Sequence, residues 1–377
     1  MIPNQRPLFD IPDDVVYLNC ASQGPLMKSV CAAGETGVMR KAHPWTRFRQ
    51  EAAADAEESR GLFARLIGAE ADDVALVPAT SYGIAVAAAN LPVESGARII
   101  VLQDQFPSNF HAWRLRAMEA GAELVAVPRP ADGDWTSAVL ARIDERTGLV
   151  TLPPCHWTDG SALDLARIGA RCREVGAAFV IDATQAAGAM PVDVQTLQPD
   201  FLTCSGYKWL LCPYTTSFLY AAPHRQDGVP IEHYRWSVPG IPGEGAKRGD
   251  DLDDTPGARR YDMGERNNPI STIMSVTALK QLLDWTPAAI AATLKPLTDR
   301  VAEGAAARGY TVPPTAHRVP HFIGLQVPDG LPPDIADRMA ERNVHISLRG
   351  ESVRVSPHLY NSAEDIDRFF DALDAVL

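Results

Sequence analysis

Residues 178–213 read AFVIDATQAAGAMPVDVQTLQPDFLTCSGYKWLLCP. The opening run, Ala178–Ile181, is short and wholly apolar, the pattern of a strand buried on both faces. It closes on a carboxylate, Asp182, and 26 residues later Lys208 stands inside a second apolar stretch. A buried carboxylate costs free energy unless it meets a cation or several donors. An ammonium in apolar surroundings gives up its proton more easily, and the free amine that results can form a Schiff base. Each residue also has an ordinary reading: Asp182 can cap the next helix, and Lys208 can be a surface group.

Outward from this stretch the chain alternates. VALVP (74–78), RIIVL (98–102), ELVAV (123–127) and GLVTLP (148–153) are strand-like. TSYGIAVAAANL (80–91), SNFHAWRLRAMEAG (108–121) and LDLARIGARCREVG (163–176) are helical, and so is Gln50–Ile67, which stops at Gly68. Apolar strands alternating with helices predict βαβ units and a mostly parallel sheet with helices on both faces. Residues 1–30 are Pro-rich and irregular apart from VVYLNC, and 223–269 are rich in loop residues. From about 285 to 377 smaller strands and helices alternate, which predicts a small C-terminal α+β domain beside a large domain over 31–284.

Sheets of this kind bind ligands outside the carboxyl ends of their strands. After VALVP, Thr80 and Ser81 open a helix whose amino end suits a phosphate, or they simply cap it. After RIIVL, Phe106 can stack on a flat ring or pack in the core. Phosphate cradle, aromatic face, carboxylate and lysine together are what pyridoxal 5'-phosphate (PLP) asks for, because its ring nitrogen needs an acid partner to make the ring an electron sink.

The 377 residues carry 46% hydrophobic and 22% charged side chains, an ordinary globular balance. A net charge of -12 and a pI near 5.2 argue against nucleic acid as a partner. No apolar run approaches the roughly 20 residues that span a bilayer, and no signal peptide opens the chain. The six cysteines are scattered without a CxxC pair, so we expect reduced thiols, a cytoplasmic location and no metal.

VIDATQAAGAMPVDV with FLTCSGYKWLLCP resembles the PLP signature of the class V aminotransferase-like enzymes of fold-type I, which include cysteine desulfurases, isopenicillin N epimerases and kynureninases. The opening YLNCASQGPL and the ending VRVSPHLYNSAEDID extend the likeness to nearly the whole chain. The resemblance implies that Asp182 pairs with the pyridinium nitrogen, that Gln185 and His156 approach the 3'-oxygen, and that Lys208 forms the internal aldimine and then moves the α-proton. Thr80, Ser81 and Ser205 would hold the phosphate with help from Tyr207. DQFPSN resembles a kynureninase "FPxD" element, with Phe106 as the stacking residue and Asn109 in the place of the acid. Arg354 would clamp the substrate carboxylate, and Asn19 would assist.

The resemblance further implies an L-amino-acid substrate and a homodimer. In MGERNNP, Arg266 or Asn267 would reach the partner's phosphate site, where relatives often carry Thr or Asn. The stretch SLRGES (347–352) holds no cysteine where desulfurases keep their nucleophile, and Cys20 is read as packing. An aminotransferase is therefore expected, with a lyase or epimerase working from the same site as the alternative. Tyr234 and Trp236 could supply a kynureninase-like aromatic pocket. A regulator without turnover would have lost a reactive group, whereas Lys208, Asp182 and Arg354 are all present.

Overall fold

The computed structural model describes residues 1–232, 257–328 and 330–377. Its strands are β1 (Val16–Tyr17), β2 (Val74–Val77), β3 (Arg98–Leu102), β4 (Glu123–Val127), β5 (Thr147–Leu152), β6 (Ala178–Asp182), β7 (Phe201–Ser205), β8 (Ser217–Ala221), β9 (Ile323–Gln326), β10 (Val344–His345), β11 (Ser347–Arg349) and β12 (Ser352–Val355). Between them run α1 (Lys28–Ala42), α2 (Phe48–Ile67), α3 (Thr80–Asn90), α4 (Ser108–Ala120), α5 (Trp135–Leu140), α6 (Leu165–Val175), α7 (Val194–Leu197), α8 (Ser271–Trp285), α9 (Pro287–Ala307), α10 (Ile335–Ala340) and α11 (Ala363–Asp374). Among these, no helix is long and apolar enough to cross a membrane.

The large sheet has seven strands in the order β2-β8-β7-β6-β5-β3-β4. Every ladder is parallel except the two made by β8, which runs back between β7 and β2. Alternate residues of each strand enter different cores, as a two-residue period requires. Val74, Leu76, Ile100, Leu102, Val150, Phe179 and Ile181 belong to one core. Ala75, Val77, Ile99, Val101, Leu149 and Val180 belong to the other. Both faces are thus covered, which is why these strands read as continuous apolar runs rather than as alternating ones.

Helix α6 shows how the crossovers are held. Asp164 caps it by accepting from the Arg167 amide, Leu165, Ile168 and Cys172 face the core, and Gly176 ends it in the left-handed region at φ 76°. Helix α1 lies over residues that carried no clear helical signal. Its Gly37 allows a close approach, because a Cβ there would come within 2.5 Å of the Pro269 carbonyl oxygen.

A third core gathers Val301, Ile323, Leu325, Val353, Val355, Ile366 and Phe369 around the small sheet β11-β12-β9. Val16 and Leu18 join it, since β1 pairs in parallel with β10. The amino-terminal segment is therefore divided: its strand belongs to the carboxyl-terminal core, and the residues just after it lead to the sheet edge described next.

Candidate active site

The strands β2, β3, β5, β6 and β7 end on one edge of the large sheet, and a cavity of about 260 Å³ opens there. Its wall is formed by residues 79–81, 105, 106, 108, 153, 157, 182, 184, 185, 205, 207 and 208, each at or just after a strand end. Of the residues singled out from sequence, Thr80, Ser81, Phe106, Asp182, Gln185, Ser205, Tyr207 and Lys208 meet in this wall.

Asp182 is the last residue of β6 and is buried. Burial holds its carboxyl above the usual carboxylate range, against the lowering effect of Thr184 hydrogen bonds and of the Lys208 charge. The Thr184 amide donates to its Oδ1 at 3.0 Å. Lys208 is also buried, with Nζ 5.3 Å from the centre of the Phe106 ring and 5.5 Å from that of Tyr207. Burial lowers its pKa to about 8, the Arg354 charge acting in the same direction and Asp182 against it. A lysine in this state supplies a substantial free-amine fraction near neutral pH.

Beside them lies a knot of hydroxyls at the amino end of α3. Thr80 Oγ1 is 2.8 Å from Thr184 Oγ1 and 2.6 Å from Ser205 Oγ, and the Ser205 amide donates to Thr184 Oγ1 at 3.2 Å. A helix amino end with free amides and hydroxyls favours a phosphate group. The loop carrying Lys208 is braced from the amino-terminal segment: the Gly24 amide donates to the Tyr207 carbonyl at 3.0 Å, and a Cβ at Gly24 would overlap the Lys208 carbonyl oxygen.

Arg354, on β12, is buried and donates from Nη1 to the Trp157 carbonyl at 2.8 Å, from Nη2 to Ser22 Oγ at 2.8 Å and from Nε to Ser347 Oγ at 3.3 Å. Burial and the neighbouring Arg349 charge push its pKa down to about 9, and no described carboxylate offsets them. The Gln185 side chain is tied on both ends, donating to the Ala21 carbonyl at 3.0 Å and accepting from Trp209 Nε1 at 2.8 Å.

Two of the expected site residues stand outside the wall. His156 does not line the cavity: its Nε2 lies 3.1 Å from the Gln103 carbonyl, its Nδ1 2.7 Å from Thr158 Oγ1, and its ring stacks on Trp135 at 5.3 Å. Both ring nitrogens are therefore engaged behind the wall. Its neighbour Trp157 takes the position in the wall, edge-on to Phe106 at 5.3 Å. Asn109 is likewise turned inward, its Oδ1 accepting from Trp113 Nε1 at 3.0 Å and from Thr151 Oγ1 at 2.6 Å.

Asn19 lies outside the cavity wall with a buried Oδ1 that has no hydrogen-bond partner. Arg266 pairs with Asp262 at 3.1 Å, Asn267 is exposed, and both lie outside the wall on their own chain. Cys20 is buried in the core. Tyr234 and Trp236 fall outside the described residues. Sequence reading missed Gln105, Ser108, Pro153, Trp157 and Thr184. Each adjoins a quoted strand end, and that position was the signal that could have found them.

The family model described as aminotransferase class-V matches residues 27–369. The chain belongs to that family. It is 28% identical to the isopenicillin N epimerase of Streptomyces clavuligerus over 96% of this chain and 95% of that one. It is 30% identical to the kynureninase of Deinococcus radiodurans over 75% of this chain and 68% of the relative. The apo structure of a cysteine desulfurase from Thermococcus onnurineus NA1 superposes with a TM-score of 0.84 at 21% identity, covering 98% and 97% of the two chains, a likeness of fold.

This class V enzyme is PLP-dependent. The cavity suits the cofactor on its own terms: a buried carboxylate without a cation bonded to it, an aromatic face, a hydroxyl knot at a helix amino end, and a lysine of lowered pKa stand around one space.

Proposed function

We propose that the enzyme acts on an L-amino acid as an aminotransferase, with Lys208 holding the cofactor and then moving the Cα proton of the substrate. The observation that carries this reading is Lys208 itself, buried in the cavity wall with its pKa lowered to about 8. PLP, when bound, supplies the electron sink that makes a Cα–H bond acidic. The chain's residues supply the rest. Asp182 would pair with the ring nitrogen, the α3 amino end with Thr80, Ser81 and Ser205 would hold the phosphate, and Phe106 would stack on the ring. Arg354 receives the substrate carboxylate, for which its unused N–H groups and uncompensated charge are suited. Burial of Lys208 excludes water from the amine that must hold the proton between its removal from Cα and its return.

The alternative is a lyase or epimerase using the same proton removal, and the near full-length likeness to an isopenicillin N epimerase favours keeping it in view. SLRGES forms β11, a turn and the start of β12 without a cysteine, so a persulfide-forming desulfurase has no nucleophile there. We further propose a homodimer in which Arg266 or Asn267 serves the partner's site, and a cytoplasmic location. All six cysteines are free and five are buried, as a reducing compartment allows.

The deciding experiment is a single turnover of holoenzyme with a panel of L-amino acids and no keto-acid acceptor. Release of a keto acid with conversion of the cofactor to its amine form supports transamination. Recovery of the starting cofactor spectrum, with an inverted amino acid or a freed side-chain fragment, replaces it with epimerisation or elimination.

A further inference from the structure

Arg349 was read from sequence only as part of a stretch that lacks cysteine. In the structure it is the last residue of β11, half-buried, and close enough to the site for its charge to depress the pKa of both Lys208 and Arg354. Its Nη1 donates to the Leu348 carbonyl at 2.7 Å and its Nη2 to Ser22 Oγ at 2.7 Å. Its guanidinium lies 5.9 Å from the Trp157 ring, the residue that walls the cavity beside Phe106. Ser22 Oγ also accepts from Arg354 Nη2 at 2.8 Å, so two guanidinium groups converge on one neutral oxygen.

Neither arginine pairs with a carboxylate among the described residues, and burial disfavours the charge of both. Two cations drawn together out of water are unfavourable unless an anion arrives between or beside them. Arg349 and Arg354 therefore bring two cationic side chains to one neutral oxygen with no carboxylate bonded to either among the described residues. If Arg354 takes the carboxylate on Cα, as the proposed function has it, one cation stays uncompensated. The Ser22 hydroxyl is bonded by both guanidinium groups. Arg354 comes from the buried middle of β12, and Arg349 from the end of β11 beside the Trp157 ring. With Arg354 engaged by the carboxylate on Cα, Arg349 is the cation left beside the Trp157 ring for a second one.

We propose that Arg349 is a specificity-determining residue that binds a second carboxylate, so that the preferred substrate is an L-amino acid with a carboxylate in its side chain. This inference rests on the proposed amino-acid chemistry, and its test separates the two. Holoenzyme and the Arg349→Gln variant are titrated with L-glutamate, L-2-aminoadipate, L-glutamine and L-norleucine, following the cofactor absorbance. The parent prefers the acidic amino acids to glutamine and norleucine, and Arg349→Gln lowers that preference ratio by about 10- to 100-fold, the worth of one charge-assisted hydrogen bond. Arg349→Lys retains part of it. A loss shared equally by glutamate and glutamine, or a parent without preference, overturns the proposal.

Bound cofactor content and thermal unfolding of each variant identify one that has merely misfolded, in which case Arg349→Lys carries the comparison. Glutarate and butyrate, which lack the amine, give an independent reading. If amino acids leave the absorbance unchanged while glutarate still protects the parent from thermal unfolding more than butyrate, and Arg349→Gln abolishes the difference, the second-carboxylate site stands and the amino-acid reading falls. Equal protection by the two acids counts against the site.

Discussion

A lysine must lose its proton before it can attack a carbonyl, and the pKa of Lys208 sets when that happens. Its ordinary value is 10.5, and burial brings it to about 8. The neutral amine therefore predominates above about pH 8, and the ammonium below. We expect the rate at which apo-enzyme captures PLP to rise with pH and level off near 8, as stopped-flow absorbance at limiting cofactor would read. A lysine with an unshifted pKa would keep gaining rate toward pH 10, and that profile would remove Lys208 from the role. Arg354 waits without an anion: three fixed oxygens take three of its donors and leave two N–H groups and its charge for a substrate.

At the scale of elements, the edge strand β2 is pinned by a buried ion pair that lies outside the cavity wall. Arg60 of α2 bonds Asp262 through both terminal nitrogens, at 3.0 and 2.8 Å, and Asp262 accepts from the Leu76 amide on β2 at 2.7 Å. Arg60 also donates to the Val74 carbonyl, so α2, β2 and the segment before α8 share one polar node. Asp262→Ala leaves the buried Arg60 guanidinium with only the half-exposed Glu57 as its anion, and we expect a loss of about 3 kcal/mol in urea unfolding. The double variant Arg60→Met/Asp262→Leu should recover part of it, because the desolvation cost of that pair disappears while Arg266 still loses Asp262. Equal losses in the single and double variants would mean that the node is held by something other than charge.

Across the whole molecule, the seam between the large sheet and the carboxyl-terminal core is closed by two buried imidazoles. His321 lies 2.6 Å through Nε2 from the Gln185 carbonyl and edge-on to Trp209, while neither ring nitrogen of His358 has a partner. Burial lowers their pKa to about 4 and about 3, the His321 charge adding to the effect on His358. In the unfolded chain both protonate near pH 6.5. The unfolded state then binds more protons between that value and the folded pKa, so the stability contributed above pH 6.5 is lost as pH falls toward 3–4. We expect an acid-unfolding limb worth on the order of 3–5 kcal/mol per ring. His358→Leu should flatten it in denaturant titrations between pH 4 and 7; an unchanged slope would mean that His358 protonates without unfolding. The proposed dimer makes its own prediction. Lys208→Ala and Arg266→Ala chains, each impaired alone, should regain activity on mixing, since one site of the mixed dimer has both residues. Mixtures no more active than the sum of the two would place Arg266 with Lys208 of its own chain.

Local order and chemical type determined much of this enzyme from its residues alone. The apolar run ending on Asp182 reads as a strand of a parallel sheet buried on both faces, and such strands carry their ligands at the carboxyl end. Thr80 and Ser81, Phe106, Asp182 and Lys208, each weak alone, together pointed to PLP. Strand β8 was not legible, because SFLYA continues an apolar stretch and nothing in it marks a reversal of direction. Helix α1 was hidden by Gly34 and Gly37, which weaken a helical pattern but serve close packing. Trp157 stands in the wall and His156 behind it, since neighbouring residues point different ways and only packing chooses between them. Ser22, Arg349 and Arg354 stand more than 300 positions apart along the chain at their extremes, and pairing of β1 with β10 and of β11 with β12 brings them to one oxygen. Sequence specifies which groups exist and how near neighbours alternate; long-range pairing of strands decides which charges must share a space without water.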